Sequence, residues 1–214
     1  MQKADIPPEK HYLAHGIRED RAPSAWFSSA YVRNQLNAAH VPPAELLKRY
    51  LASDMPDRPR ILFVSHDASR TGAPAIILRL IEMFGAGGNI ECVTLLDEGG
   101  ERLEDFREVS HVYVMAKSRR EERSQTKAAR RELEALFGGQ GGFHQNRPII
   151  ALVNSAESAR IASVLHQLNI PIVSLVHEFA AFYSPSVFET LAEISRKLIV
   201  PSQFIRRTAL AHAK

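Results

Sequence analysis

The chain of 214 residues holds a single cysteine and a single tryptophan. One cysteine rules out an intramolecular disulfide framework and a cysteine-built metal site. Cys92 lies inside the apolar run IECVTLL, which reads as a small core residue in a reducing compartment. No apolar stretch approaches the ~20 residues that span a bilayer, and the N-terminus, MQKADIPPEKHYLAHG, has no apolar core of a secretory signal. A cytoplasmic location is the expectation. Charge excess is also scarce: 27 Lys and Arg against 24 Asp and Glu leave +3, too little to argue for nucleic acid as a partner. Motifs are missing as well. No GxGxxG or GxxxxGK[ST] follows the first apolar run, so neither a dinucleotide fingerprint nor a P-loop is supported. No GxSxG elbow supports a hydrolase, and no His, Asp or Glu spacing stands out as a metal site.

What is present is a regular alternation from residue 60 onward. Short β-branched runs occur at 60–65 (RILFVS), 90–96, 110–115, 148–154 (PIIALVN), 171–176 (PIVSLV) and 197–200 (KLIV). Segments with helical spacing lie between them, at 73–84, 101–107, 119–137, 155–168, 186–195 and 202–213. Continuous apolar strands alternating with helices predict a parallel sheet covered on both faces. The expected fold is a Rossmann-like, doubly wound α/β domain of about six strands over residues 59–214. The proline-rich residues 1–58 read as a small, mainly helical appendage. Within it HYLAHGIREDRAP (11–23) is echoed by RYLASDMPDRP (49–59), with Tyr12 and Tyr50 in matching places. The glycine-rich GGQGG at 138–142 follows a helix rather than a strand and reads as a connecting loop.

In an open α/β sheet, ligands bind beyond the C-terminal strand ends, where the strand order reverses. Three loops there are polar after apolar strands: SHDASRTGAP (65–74), NSAES (154–158) and HEFAAFYSP (177–185). Thr71, Gly72 and Ala73 precede Pro74, which suits a first helical turn, and the free N–H groups of such a turn favour a phosphate or a hydroxyl. Asn154, and Ser155 capping the next helix, form the second candidate group. His177 and Glu178 end the fifth strand, where a histidine can donate to a hydroxyl or phosphate or accept a proton. Phe179, Phe182 and Tyr183 either wall a sugar or lipid pocket or pack beneath the loop. The run KSRREERSQTKAARRELE (117–134) has seven basic residues against four Glu, and reads as a solvated helix face or, over 117–131, as a peripheral contact with anionic lipid.

Three segments in order, ILFVSHDASRTGAPAIILRLIE, ALVNSAESARIASVLHQLNIPIVSLVHEF and KLIVPSQFIRRTAL, resemble the N-terminal half of glycosyltransferase family 4. HYLAHGIREDRAPSAWF resembles short repeats that precede some bacterial polysaccharide glycosyltransferases. The resemblance implies a GT-B architecture of two Rossmann-like domains and transfer of a sugar from a nucleotide-sugar donor to a polysaccharide or lipid-linked acceptor. Retention of configuration is implied, with no essential metal and no cofactor beyond the donor. It implies that the loop at Gly72 and Ala73 approaches donor phosphates and acceptor, that His177 contacts the donor sugar, and that the loop holding Ser202 lines the same cleft. The family usually carries two adjacent glycines where this chain has Gly72 and Ala73. It also holds the donor with a second domain carrying Glu-x7-Glu, and no pair of glutamates here has that spacing. The expectation is therefore an acceptor-side half, inactive without a donor-binding domain, in the cytoplasm or at the inner membrane face. The alternative reading is a non-catalytic binding or scaffold module.

Overall fold

The computed structural model describes residues 12–17, 19, 21–115, 122–137 and 147–212. Six parallel strands form one sheet: β1 (Arg60–Ser65), β2 (Glu91–Leu96), β3 (His111–Val114), β4 (Ile150–Asn154), β5 (Ile172–Leu175) and β6 (Lys197–Ile199). Their order is β3-β2-β1-β4-β5-β6. This is the doubly wound Rossmann-like arrangement, and the order reverses between β1 and β4. In register, Val64 stands beside Leu95 on one side and Val153 on the other. Leu62, Phe63 and Val64 of β1, flanked on both sides, are fully buried. That double covering explains why the central strands are continuous apolar runs rather than alternating ones.

Helices cover both faces. After β1 comes α3 (Gly72–Gly85), after β2 α4 (Leu103–Val109), and after β3 α5 (Glu122–Phe137). A 3₁₀ turn (Ala156–Ser158) and α6 (Ala159–Gln167) follow β4, α7 (Pro185–Ile194) follows β5, and α8 (Gln203–His212) follows β6. Leu133, Phe137, Ile161, Leu165, Phe188 and Leu191 pack α5, α6 and α7 against one face, with Val64, Val93 and Val153. The other face takes Ile77, Ile81 and Phe106 from α3 and α4. Among the described residues no helix is long and apolar enough to cross a membrane. The runs 117–121 and 138–142 lie outside the described residues.

The described part of residues 12–58 holds a π-helical turn (Tyr12–Gly16), α1 (Ser29–Gln35), α2 (Pro43–Ala52) and a 3₁₀ turn (Met55–Asp57). Tyr12 opens the π turn, while Tyr50 sits in α2, so the two echoing stretches adopt different local structure. Phe27, Tyr31, Leu46, Tyr50 and Met55 share one core with Ile61, Phe63, Ile77 and Phe106. The Trp26 carbonyl accepts from the Val112 N–H at 3.0 Å, so the chain before α1 bonds directly to β3.

This contact is built around buried charge at the start of three strands. Arg60 pairs with Glu91, and both are buried. Tyr50 donates to Glu91 at 2.6 Å, and His111 Nε2 lies 3.1 Å from the same carboxylate. The Ser28 N–H donates to His111 Nδ1 at 3.0 Å, so Nε2 carries the proton of a neutral ring. The rings of Trp26, Phe27, Tyr31 and Tyr50 surround that imidazole at centroid distances of 4.8, 5.2, 4.9 and 5.8 Å. Burial lowers the affinity of His111 for a second proton. Burial also opposes the charge on Glu91, but the hydrogen bond from His111, with Arg60 and Tyr50, outweighs it and holds this carboxyl below its ordinary range.

Candidate functional site at the switch point

At the reversal of strand order, β4 ends in Asn154, which is fully buried. Its amide spans the crevice. Nδ2 donates to the Ala73 carbonyl at 2.9 Å, at the start of α3. Oδ1 lies 2.7 Å from His177 Nε2, just beyond β5. Because Nδ2 is committed to a carbonyl, Oδ1 must accept, and His177 must donate from Nε2. In the neutral ring Nδ1 is then left with a lone pair, and it has no hydrogen-bond partner among the described residues. His177 is half-buried, with its ring fixed by a side chain rather than by backbone. A group so held can accept a bond, or a proton, from a hydroxyl.

The start of α3 is open. Thr71 occupies the cap position, yet its side chain makes no cap bond; its Oγ1 lies 2.9 Å from Ser69 Oγ instead. Among the described residues, the Gly72 and Ala73 N–H groups have no partner. Pro74, third in the helix, has no N–H to satisfy. Two free amides at the positive end of a 14-residue helix suit an anion or a hydroxyl oxygen. A Cβ placed on Gly72 meets nothing within 4 Å, so nothing in the protein requires glycine there. A close approach of backbone to backbone occurs at another glycine. At Gly100, after β2, a Cβ would stand 2.4 Å from the Ala68 backbone. There the β2 loop holds the β1 loop from the side, aided by the Arg102 N–H bonding to the Ala68 carbonyl at 2.8 Å.

Glu178 and Ser155 shape the site from behind. Glu178 Oε2 accepts from the Ala156 N–H at 3.2 Å and the His177 N–H at 3.0 Å, joining the β4 and β5 loops. Ser155 is buried, at φ 81 and ψ 145, a conformation that non-glycine residues rarely adopt. Its N–H donates to the Leu175 carbonyl at 2.8 Å, and its Oγ accepts from the Glu157 N–H at 3.2 Å. Both residues therefore hold backbone. Ser202 is exposed and its Oγ accepts from the Ile205 N–H at 3.2 Å, capping α8. No hydrogen bond among the described residues joins it to His177 or Asn154.

The aromatic residues of the third loop divide. Tyr183 is half-buried and donates to Glu157 at 2.9 Å; burial first, then this carboxylate, raises its pKa. Phe179 and Phe182 are exposed rather than packed beneath the loop.

Sequence reasoning passed over two features at this edge. Arg160, in the first turn of α6, grips both oxygens of Asp97 at 2.6 and 2.8 Å, tying α6 to the end of β2. Ser65 Oγ and His66 Nδ1, at the end of β1, are buried without partners. The polar loop 65–74 was visible in the sequence, but the candidate residues drawn from it were Thr71, Gly72 and Ala73.

Among the described residues no group of three or more His, Cys, Asp or Glu is placed to hold a metal ion. A groove of about 450 Å³, lined in part by Asn34, Glu82, Gly85 and Glu108, lies where α1, α3 and α4 end. Helix C-termini and carboxylates repel anions, so this groove does not suit a phosphate. No protein-family model matches the chain, and no curated protein matches it.

Proposed function

We propose that this chain is the acceptor-side half of a retaining glycosyltransferase that takes its sugar from a nucleotide-sugar donor. One observation carries the reading: Asn154 ties the ring of His177 to the open first turn of α3 across the switch point. A nucleotide sugar offers a diphosphate and several hydroxyls within a few ångströms. The free Gly72 and Ala73 amides suit the phosphate, and His177 Nδ1 suits a sugar O–H.

The resemblance of the three loop segments to glycosyltransferase family 4 supports the same assignment. In this reading His177 binds and orients the sugar, Asn154, Ser155 and Glu178 hold the loops, and a donor-binding domain neutralises the leaving diphosphate. The acceptor is a polysaccharide or a lipid-linked glycan, the place is the cytoplasm or the inner membrane face, and no cofactor beyond the donor is needed. Uncapped starts also occur at α2, α4, α6 and α7, so what favours this over a scaffold role is that the α3 start and His177 meet through Asn154.

The test is backbone and imidazole NMR of the chain titrated with UDP- and GDP-hexoses. Shifts confined to Gly72, Ala73, Asn154 and His177, and lost in His177→Ala, are expected. Absence of shifts at these residues with every donor, and with isolated glycan acceptors, overturns the reading.

A further inference from the structure

Beyond the switch point the molecule carries a projecting aromatic tip. Phe179 and Phe182 bracket the 3₁₀ turn (Ala180–Phe182) that follows β5, with ring centroids 6.4 Å apart. Phe204, in the first turn of α8, meets Phe179 at 5.9 Å. The three side chains are 48%, 80% and 61% exposed, and Ile199 at the end of β6 is 46% exposed. Three exposed rings linked through Phe179 are not core and are not scattered surface residues.

Charge beside the tip is of one sign. Arg206 and Arg207 follow Phe204 on α8 and are exposed. Neither makes an ion pair among the described residues. Four other exposed arginines are matched on their own helices, Arg49–Glu45, Arg79–Glu82, Arg107–Glu104 and Arg130–Glu134, while Arg70, Arg131 and Arg196 are exposed without an ion pair among the described residues. From Val200 to His212 there is no acidic residue at all.

We infer that this tip docks on an anionic lipid surface. Phenylalanine has no N–H or O–H to offer a sugar or a polar protein rim, whereas it buries readily at the headgroup boundary. A convex tip such as Phe182 needs a partner that deforms around it, which a bilayer does. The two unmatched guanidiniums supply attraction to phosphate headgroups. The surface lies at the same end of the sheet as His177, so docking brings the switch point to the membrane. The inference does not depend on sugar transfer, since lipid binding is read without donor or turnover.

The experiment is co-sedimentation of the chain with phosphatidylglycerol-containing vesicles and with pure phosphatidylcholine vesicles, at low and high salt. Binding to the anionic vesicles, weakened by salt, is expected. Arg206→Gln with Arg207→Gln is expected to weaken it at least about tenfold, and Phe182→Ser with Phe204→Ser similarly. All four side chains are exposed, so both double variants are expected to keep the parental melting temperature. Lack of sedimentation, or equal binding by parent and variants, overturns the proposal. So does self-association of the parent that the phenylalanine variant abolishes without any vesicle binding, since that assigns the tip to a second copy.

Discussion

Asn154 accepts from His177 at 2.7 Å while donating to the Ala73 carbonyl at 2.9 Å, so one buried amide sets the geometry of both loops at the switch point. Removing it in Asn154→Ala leaves a donor and an acceptor without partners, at a cost of about 1–3 kcal/mol in folding stability. The sharper readout is the imidazole. Two-dimensional ¹H–¹⁵N spectra of the neutral ring are expected to show the Nε2–H tautomer of His177 in the parent and a mixture in Asn154→Ala. A mixture already in the parent refutes the contact.

The two glycines near this loop are expected to behave oppositely. Gly72→Ala puts a methyl into open space at a helix start, so stability is expected to hold or rise by up to about 1 kcal/mol. If the Gly72 amide serves an anion, the same methyl weakens donor binding. Gly100→Ala drives a methyl into the Ala68 backbone, 2.4 Å away, and is expected to lower the melting temperature by several degrees. Urea unfolding of the two variants beside the parent decides this. Equal stability of the two refutes the packing of Gly100 under the β1 loop.

The doubly wound sheet was legible because strands flanked on both sides must be apolar throughout, as RILFVS and PIIALVN are. The polar loops after β1, β4 and β5 were legible for the same reason: polarity at the end of a buried strand needs a cause. The bridge through Asn154 was not, because it depends on β1, β4 and β5 being neighbours, which a linear pattern does not encode. The packing role of Gly100 was not legible either, because its partner Ala68 lies in a different loop. Glu91 and His111 were hidden inside apolar runs. Their burial makes sense only once Tyr50 and Ser28 arrive from the N-terminal helices.

Stability is expected to fall in acid in two separate windows. His111 binds its second proton less readily when folded, so the unfolded chain takes up more protons as pH drops below about 6.5. The stability tied to the neutral ring is full above that pH and is lost progressively below it. Glu91 is also depressed, so its share is lost only at lower pH, beginning near 4.5, as the carboxylate protonates. Urea midpoints between pH 8 and pH 5 are expected to slope downward in the parent. In His111→Gln, which keeps an acceptor for the Ser28 N–H, the slope over this range is expected to flatten. An unchanged slope shows that the acid loss arises elsewhere.

Residues 21–58 are expected to be required for folding of the sheet. Their side chains Phe27, Tyr31, Leu46, Tyr50 and Met55 share one core with Ile61, Phe63, Ile77 and Phe106. A chain beginning at residue 59 loses this shared packing, and each core side chain fully exposed costs about 1.5–3 kcal/mol, against a total domain stability of about 5–15 kcal/mol. It also strips Tyr50 and the Ser28 N–H from the buried Glu91 and His111, costing each a hydrogen bond although Arg60 still faces Glu91. Insolubility, or a molten state that binds hydrophobic dye, is therefore expected of the shortened chain. The milder Tyr50→Phe, which removes one hydroxyl from Glu91, is expected to fold with a loss of about 1–3 kcal/mol. A shortened chain that unfolds cooperatively at the parental midpoint would show that the sheet stands without these helices.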